Sequence, residues 1–313
     1  MNNPLVSIYV PTFNHENYIT QALDSILMQQ TEYSYEVLIG EDCSTDNTRQ
    51  VVKDWQAAHP DERFVFFYRQ NNMHKAEISN ALDLKLRCKG KYLICLEGDD
   101  FWTDPMKLQK QVSFLETHPD YYAVAHNCTV VGEDSQPNGE TYPQCKDEEY
   151  TFQHYGNNIL PGQFTTLLAR NYMTDPEMDQ TLLHQRLGPG DRHVYFSLLF
   201  HGRIHCMQQT MSAYRHITSG GSSFSATRRY NYDTQEAADR SQLLHAYKMN
   251  NGKAAFYLEH LYLLTIRQGL LHRHIGIGRA WADLKNVRHK ARALAMLPVR
   301  DFRCKILRQK LAI

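Results

Sequence analysis

Over the first hundred residues, short apolar runs alternate with longer amphipathic stretches. The runs are LVSIYV (5–10), YEVLIG (35–40), RFVFFY (63–68) and KYLICL (91–96), and the stretches between them cover 17–30, 45–58 and 76–88. Runs rich in β-branched and aromatic residues predict strands, and amphipathic stretches predict helices. Parallel strands need a crossover helix, so this order predicts an open, mostly parallel sheet with helices on both faces. A helix follows over 105–117, closed by His118-Pro119, with short strands over 121–131 and 163–170. Polar, Gly and Pro residues over 132–162 predict a long loop beside a site. Asp191, after Gly188-Pro189-Gly190, opens a helical run, HVYFSLLFHG, with Gly202 just past its end. Residues 217–230 are rich in Ser, Gly and Thr, and from 231 onward the pattern is helical, broken near Asn250-Asn251-Gly252, Gly276 to Gly278 and Pro298. The expected division is an α/β domain over 1–225 and a helical appendage over 226–313.

Composition changes this picture in two places. The chain of 313 residues has a formal net charge of zero, yet residues 267–313 carry twelve Lys/Arg against Asp283 and Asp301, a net +10 that leaves −10 on the preceding 266. A basic appendage of this kind either contacts an anionic partner, such as a membrane surface, or is a solvated helical face. The apolar residues in LPVRDFRCKILRQKL favour a peripheral membrane contact there. Nucleic acid is not expected, because the basic residues lack a recognisable motif with aromatic interleaving. The seven cysteines form an odd set without a CxxC pair, which argues against a disulfide framework or a thiolate zinc site. With no signal peptide pattern at MNNPLVSIYV, the protein is read as cytoplasmic, at most peripheral on the inner membrane face.

Ligands of open α/β sheets bind at the carboxyl ends of the strands. The residues there are Pro11-Thr12-Phe13-Asn14, Glu41-Asp42-Cys43-Ser44 and Glu97-Gly98-Asp99-Asp100. Three carboxylates within four positions repel one another unless a cation sits among them, and a hard divalent ion suits oxygen ligands. The bland alternative is a solvated acidic turn. In the second group Ser44 or Thr45 could cap the next helix, but Glu41 and Asp42 precede that cap and can accept from a base N–H or a ribose hydroxyl.

VSIYVPTFNHENYITQALDSIL, YEVLIGEDCSTDNT and GKYLICLEGDDFWTDP occur in the order and spacing of family-two glycosyltransferases, and the chain resembles that family over roughly residues 5–220. The resemblance implies a GT-A fold, with a Rossmann-like nucleotide-binding sheet, and inverting transfer from a nucleotide-diphosphate sugar, here a UDP-sugar, to a saccharide or lipid-linked acceptor. It implies that Pro11, Thr12 and Asn14 line the nucleotide pocket and that Asp42, with Glu41, contacts the base. Glu97, Asp99 and Asp100 then hold the ribose and a Mn²⁺ or Mg²⁺ on the diphosphate, with either Asp99 or Asp100 as the direct metal ligand. Glu97 stands where the family usually has Asp, and Glu41-Asp42 where it has Asp-Asp. The segment from Asn71-Asn72 to Asn80 resembles the family's Asn-rich approach to the metal strand, with Met73 where glycine is common. Gly190-Asp191-Arg192 resembles the place of the catalytic base, making Asp191 the base, with Gly190 replacing the usual Glu. The same residue could instead serve as a helix N-cap. Tyr214-Arg215-His216 resembles a segment through which Arg215 reaches the diphosphate or His216 the metal. Trp102 either supports the acceptor or packs in the core.

A dinucleotide-dependent oxidoreductase would end its first strand in G-x-G-x-x-G, whereas this turn reads PTFNHENY, and a P-loop is also missing. The remaining alternative is a non-catalytic protein of the same fold that binds a nucleotide sugar or recruits a partner.

Overall fold

The computed structural model describes residues 4–74, 76–178, 183, 190–217, 231–291, 293 and 294. The Ser/Gly-rich 218–230, Gly188-Pro189, Pro298 and the basic tail over 295–313 lie outside the described residues. The chain divides into two compact units. One comprises Met1–Tyr150, Pro161–Met178 and His201–Arg228, and the other Thr151–Leu160, Asp179–Phe200 and Arg229–Ile313.

The first unit is built on a nine-stranded sheet. Its strands are β1 (Val6–Thr12), β2 (Tyr35–Glu41), β3 (Phe64–Tyr68), β4 (Tyr92–Cys95), β5 (Phe101–Trp102), β6 (Tyr121–Val131), β7 (Glu149–Tyr150), β8 (Leu168–Arg170) and β9 (Arg203–Arg215), in the order β3-β2-β1-β4-β8-β6-β9-β5 with β7 on β9. Pairs β1–β2, β2–β3, β1–β4 and β6–β9 are parallel, and β8, β5 and β7 run antiparallel to their neighbours. The mostly parallel sheet expected from the pattern is therefore present. Helices α1 (Ile19–Leu27), α2 (Thr48–Ala58) and α3 (Asn80–Arg87) are its crossovers, and α4 (Lys107–Thr117) follows β5.

Strand order reverses at β1, which has β2 on one side and β4 on the other. Right-handed crossovers then put α1 and α2 on one face and α3 on the other. The indole N–H of Trp55 in α2 accordingly donates to Asp24 of α1 at 2.7 Å. Ile8, Val10, Ile19, Leu23, Val37, Ile39, Val52 and Ile94 are buried together in the core around this sheet. Such a reversal leaves a crevice at the carboxyl ends of β1 and β4, where α/β sheets bind ligands.

Three elements depart from the expected pattern. The longest strand, β9, was not expected, because its alternation of buried and exposed positions breaks at Met207–Thr210, where its register with β6 shifts at His126 and Asn127. Within 132–162, where the composition predicts a loop, lie β7 and a short helix, α5 (Phe152–Gly156). Over 163–170 only Leu168–Arg170 is strand, since Phe164–Thr166 turns as a 3₁₀ helix.

The second unit holds α5, α6 (Gly190–His201, to Phe200), α7 (Tyr232–Lys248), α8 (Gly252–Leu271) and α9 (Ile277–Asp283). The breaks fall near the expected glycines and asparagines. Asn231 and Asn251 cap α7 and α8, their side chains accepting from the amides of Thr234 and Ala254. Phe152, Phe196 and Phe200 stack edge-on in its interior, beside a buried polar set in which Asp239 accepts from Gln235 and Thr265 and Gln242 accepts from Tyr155. Among the described residues no helix is long and apolar enough to cross a membrane.

Candidate active site

The carboxyl ends of β1 and β2 carry two loops that tie each other down. Asn14, in the left-handed region at φ 57°, donates its amide to Ser44 Oγ at 3.0 Å, and its side-chain oxygen accepts from Thr45 N at 2.8 Å. Asp46 accepts from the amides of Glu16 and Thr48, and Thr48 Oγ1 accepts from His15 N at 2.7 Å. Ser44 and Thr45 thus bind the neighbouring loop instead of capping α2, which starts only at Thr48 and whose N-cap, Asn47, makes no side-chain cap bond.

Glu41 is buried, and both its oxygens are taken: Oε1 by the Ser44 amide at 2.6 Å and Oε2 by Arg49 Nε. Asn80, buried at the start of α3, donates to the carbonyl of Gly40 at 2.7 Å and accepts from Arg69 Nε at 3.0 Å. Asp42 Oδ1 accepts from the Met73 amide at 2.8 Å, and Asn72 donates to its carbonyl, so the Asn-rich segment is stitched to the end of β2. Burial pushes the Asp42 carboxyl above its ordinary range against that amide bond.

The turn after β4 is different. Glu97, Asp99 and Asp100 offer ligand atoms that all lie within 4.8 Å of one another. Gly98 permits this fold: a Cβ there would lie 2.6 Å from Thr12 Oγ1 and 2.8 Å from His15 Nδ1, so the turn presses directly on the end of β1. Asp100 is buried, with Oδ1 accepting from the Arg215 amide at 2.8 Å and Oδ2 from Gln163 Nε2 at 3.1 Å. Burial, then the charges of Asp99 and Glu97, push its carboxyl well above the usual range despite the Arg215 amide. Asp99 faces His15, whose Nε2 is 3.7 Å from Oδ2 while Nδ1 lies 3.2 Å from Thr12 Oγ1. Glu97 is the most exposed of the three. Three converging carboxylates, one of them pushed up by burial and by the charges of the other two, are a donor set that fits a hard divalent cation.

Arg215 at the end of β9 is buried, and its guanidinium is spread over the protein. Nε donates to the Asp99 carbonyl at 2.8 Å, Nη1 to the carbonyls of Gly132 and Glu133 and to Ser135 Oγ, and Nη2 to Gln21 at 2.7 Å. The guanidinium also lies over the Tyr18 ring, 4.4 Å from its centroid. Arg215 therefore buttresses the acidic turn from behind. His216 Nδ1 pairs with Glu140. Trp102 is core: it is buried, with Lys107 Nζ 4.2 Å over its ring.

Two residues that touch the acidic turn were not singled out from the sequence. His15 sits inside the PTFNHENY motif, where its position alone could have marked it. Gln163 donates to Asp100 and, at 3.5 Å, to Glu97, while its side-chain oxygen Oε1 accepts from the amide and hydroxyl of Thr165. No local signal marks Gln163, because its partners are more than sixty positions away.

Asp191 lies in the second unit, in the first turn of α6, where Oδ1 accepts from the Arg192 amide at 2.8 Å. It is thus inside the helix start, not at its N-cap. Arg192 lies over the Tyr155 ring at 4.6 Å, and His193 meets Gln242, so the residues beside Asp191 are anchored to α5 and α7.

Comparison with known proteins agrees with this architecture. The chain is 32% identical over 223 residues to an uncharacterized protein of Mycobacterium tuberculosis, a match covering 69% of this chain and 60% of that protein. It is 28% identical over 222 residues to the putative teichuronic acid biosynthesis glycosyltransferase TuaG of Bacillus subtilis, covering 70% of this chain and 82% of TuaG. The chain therefore spans less than two thirds of the mycobacterial relative's length. Among solved structures, Staphylococcus aureus TarS 1–349 in complex with UDP-GlcNAc superimposes with a TM-score of 0.69 at 16% identity, over 94% of this chain and 85% of that one. The GT-A fold expected from the motifs is the one they share. Residues 7–175, more than half of the chain, match the model of glycosyl transferase family 2, and the chain belongs to that family.

Proposed function

We propose that the chain transfers a hexosyl or N-acetylhexosaminyl group, with inversion, from a UDP-sugar to a hydroxyl of a saccharide or lipid-linked acceptor, in the assembly of a cell-surface polysaccharide or glycolipid. The observation that carries this reading is the convergence of Glu97, Asp99 and Asp100 at the point where strand order reverses. The likeness to TuaG, named for teichuronic acid biosynthesis, supports the surface-polysaccharide setting.

A divalent ion, Mn²⁺ or Mg²⁺, when bound, supplies positive charge against the diphosphate and its developing charge on departure. Asp99 is the direct ligand in this reading, since both oxygens of Asp100 already accept from protein amides. Glu97 contacts the ribose in this reading. Pro11, Thr12, Asn14 and Asp42 line the nucleoside side. Glu41, Asn80 and Arg215 act on the nucleotide through the loops they hold, and His216 keeps Glu140 as its partner. Asp191 accepts the proton of the acceptor hydroxyl as the new bond forms.

A panel of nucleotide sugars should be offered with Mn²⁺ and with excess chelator, following transfer, nucleotide affinity and the anomeric configuration of the product. Transfer and UDP affinity are expected to collapse with chelator. Asp191→Asn should lower the transfer rate by about 10²–10⁴ while nucleotide affinity survives. Equal UDP affinity with and without metal, or a retained anomer, would overturn the reading. Metal-dependent binding without transfer to any acceptor would instead indicate the non-catalytic nucleotide-sugar-binding alternative.

A further inference from the structure

The last described helix of the second unit, α9, has two unlike sides. Ala280 and Asp283 face inward and are buried, Asp283 accepting from Tyr232 OH at 2.9 Å and from Arg279 Nε at 3.0 Å. On the other side Ile277 is 82% and Trp281 is 70% exposed, and Leu271, the last residue of α8, is 62% exposed. Ile277 and Trp281 are four residues apart, so they are neighbours on consecutive turns. A Cβ placed on Gly276 or Gly278 would have no atom within 4 Å, so among the described residues these two positions face open space.

Single exposed apolar residues are ordinary on protein surfaces. Here, however, a tryptophan and an isoleucine share one helix face with only the small Gly278 and Ala282 beside them, and exposed cations flank them. Arg273 precedes the helix, Lys285 lies one turn beyond Trp281, and Arg288 and Lys290 follow. From Leu270 to Leu294 the sequence holds one acid, Asp283, which is buried beneath Arg279. Arg279 also reaches Asp233 and Glu236, so its charge is already met within the unit, whereas Arg273, Lys285, Arg288 and Lys290 are exposed, Arg288 lying over the Tyr247 ring and Lys290 donating to the Val287 carbonyl.

We propose that this outer face of α9 is a seat for an anionic lipid bilayer surface. Tryptophan favours the level where headgroups meet acyl chains, and Lys and Arg around it are drawn to anionic headgroups. A bilayer supplies both layers at once and needs no groove. With seven residues, α9 can lie in that interface but cannot span it. The proposal is independent of sugar transfer, and it places the contact in a described helix, apart from the 295–313 tail to which the charge pattern first pointed.

The chain carries its own reporter. Of its three tryptophans, Trp55 and Trp102 are 4% and 1% exposed, leaving Trp281 as the one that can sense a surface. The full chain should be mixed with phosphatidylglycerol/phosphatidylcholine vesicles and with phosphatidylcholine vesicles alone, at low and high salt, reading co-sedimentation and tryptophan emission. A blue shift and co-sedimentation are expected with anionic vesicles, both weakened by salt. In the full chain, Ile277→Ser with Trp281→Ala should weaken vesicle binding about tenfold or more, and Trp281→Phe should largely keep it. Unchanged helical content by circular dichroism separates this from misfolding, since both side chains are exposed. Sedimentation without a Trp281 shift assigns the contact to the tail and overturns the proposal. So does wild-type binding by the double variant, or a blue shift that grows with protein concentration alone, which would identify a second copy as the occupant.

Discussion

Two acidic turns stand at the carboxyl edge of the same sheet, after β2 and after β4 on either side of β1, and they handle their charge in opposite ways. In the first, Glu41 ends on an amide and a guanidinium, and Asp42 accepts from the Met73 amide. In the second, Asp100 receives two neutral amide donors, and the nearby guanidinium of Arg215 hydrogen-bonds backbone carbonyls, the Ser135 hydroxyl and the Gln21 side chain, not the carboxylates. The difference matters because a buried carboxylate bonded to a guanidinium of its own is scaffold, whereas a buried carboxylate such as Asp100, hydrogen-bonded by neutral amides beside two others, leaves a cluster that suits an external cation. Acidity at a strand end therefore does not by itself mark a ligand site. What marks it is where the compensating charge comes from.

The largest expected effect lies in the second turn. Disturbing groups that only orient a metal ligand typically costs about 10–100-fold in affinity, so Asp99→Ala, which removes the ligand itself, should lower Mn²⁺-dependent UDP affinity by at least that much. Calorimetry with and without Mn²⁺ reads it directly. If Asp99→Ala and wild type bound alike, the contrast between the turns would be lost.

Glu41→Gln should behave as scaffold loss. It removes a buried charge partner of Arg49, which is about a third exposed, so after allowance for solvent screening a cost of about 1–3 kcal/mol is expected. Chemical denaturation would report it, with nucleotide affinity in the folded fraction near wild type. A fall in affinity at unchanged stability would make Glu41 a ligand contact after all.

The smallest effect is one of pH. A carboxyl whose folded-state value is raised holds its proton more tightly than in the unfolded chain, so the folded state takes up protons relative to the unfolded one. Its stabilising contribution is full below the unfolded value, about 4, and is lost as pH rises through the raised value. Asp100 is such a group. The metal-free protein should therefore melt at progressively lower temperature across that window as pH rises, and Asp100→Asn should flatten the profile. Identical slopes for the two proteins would show that the crowding of the acidic turn carries no energetic weight.

Much of this protein is local and so was readable from the chain alone. The apolar runs at 5–10, 35–40, 63–68 and 91–96 and the amphipathic stretches between them determined a mostly parallel sheet, because strand and helix periodicity are properties of neighbouring residues. The same runs located the acidic edge, since each motif begins where a strand ends. What the chain could not reveal was pairing over distance. Strand β9 hides its alternation in the irregular stretch where it meets β6, and Gln163 and Arg215 reach the acidic turn from more than sixty and more than a hundred positions away. Only the tertiary structure decided that Glu41 is neutralised in place, that Trp102 is core, and that the second oxygen of Asp100 is occupied. The sequence by itself determined where carboxylates would gather. Which of them keeps a free oxygen depends on donors that folding brings from elsewhere, because hydrogen bonding and desolvation are set by neighbours in space and not by neighbours in the chain.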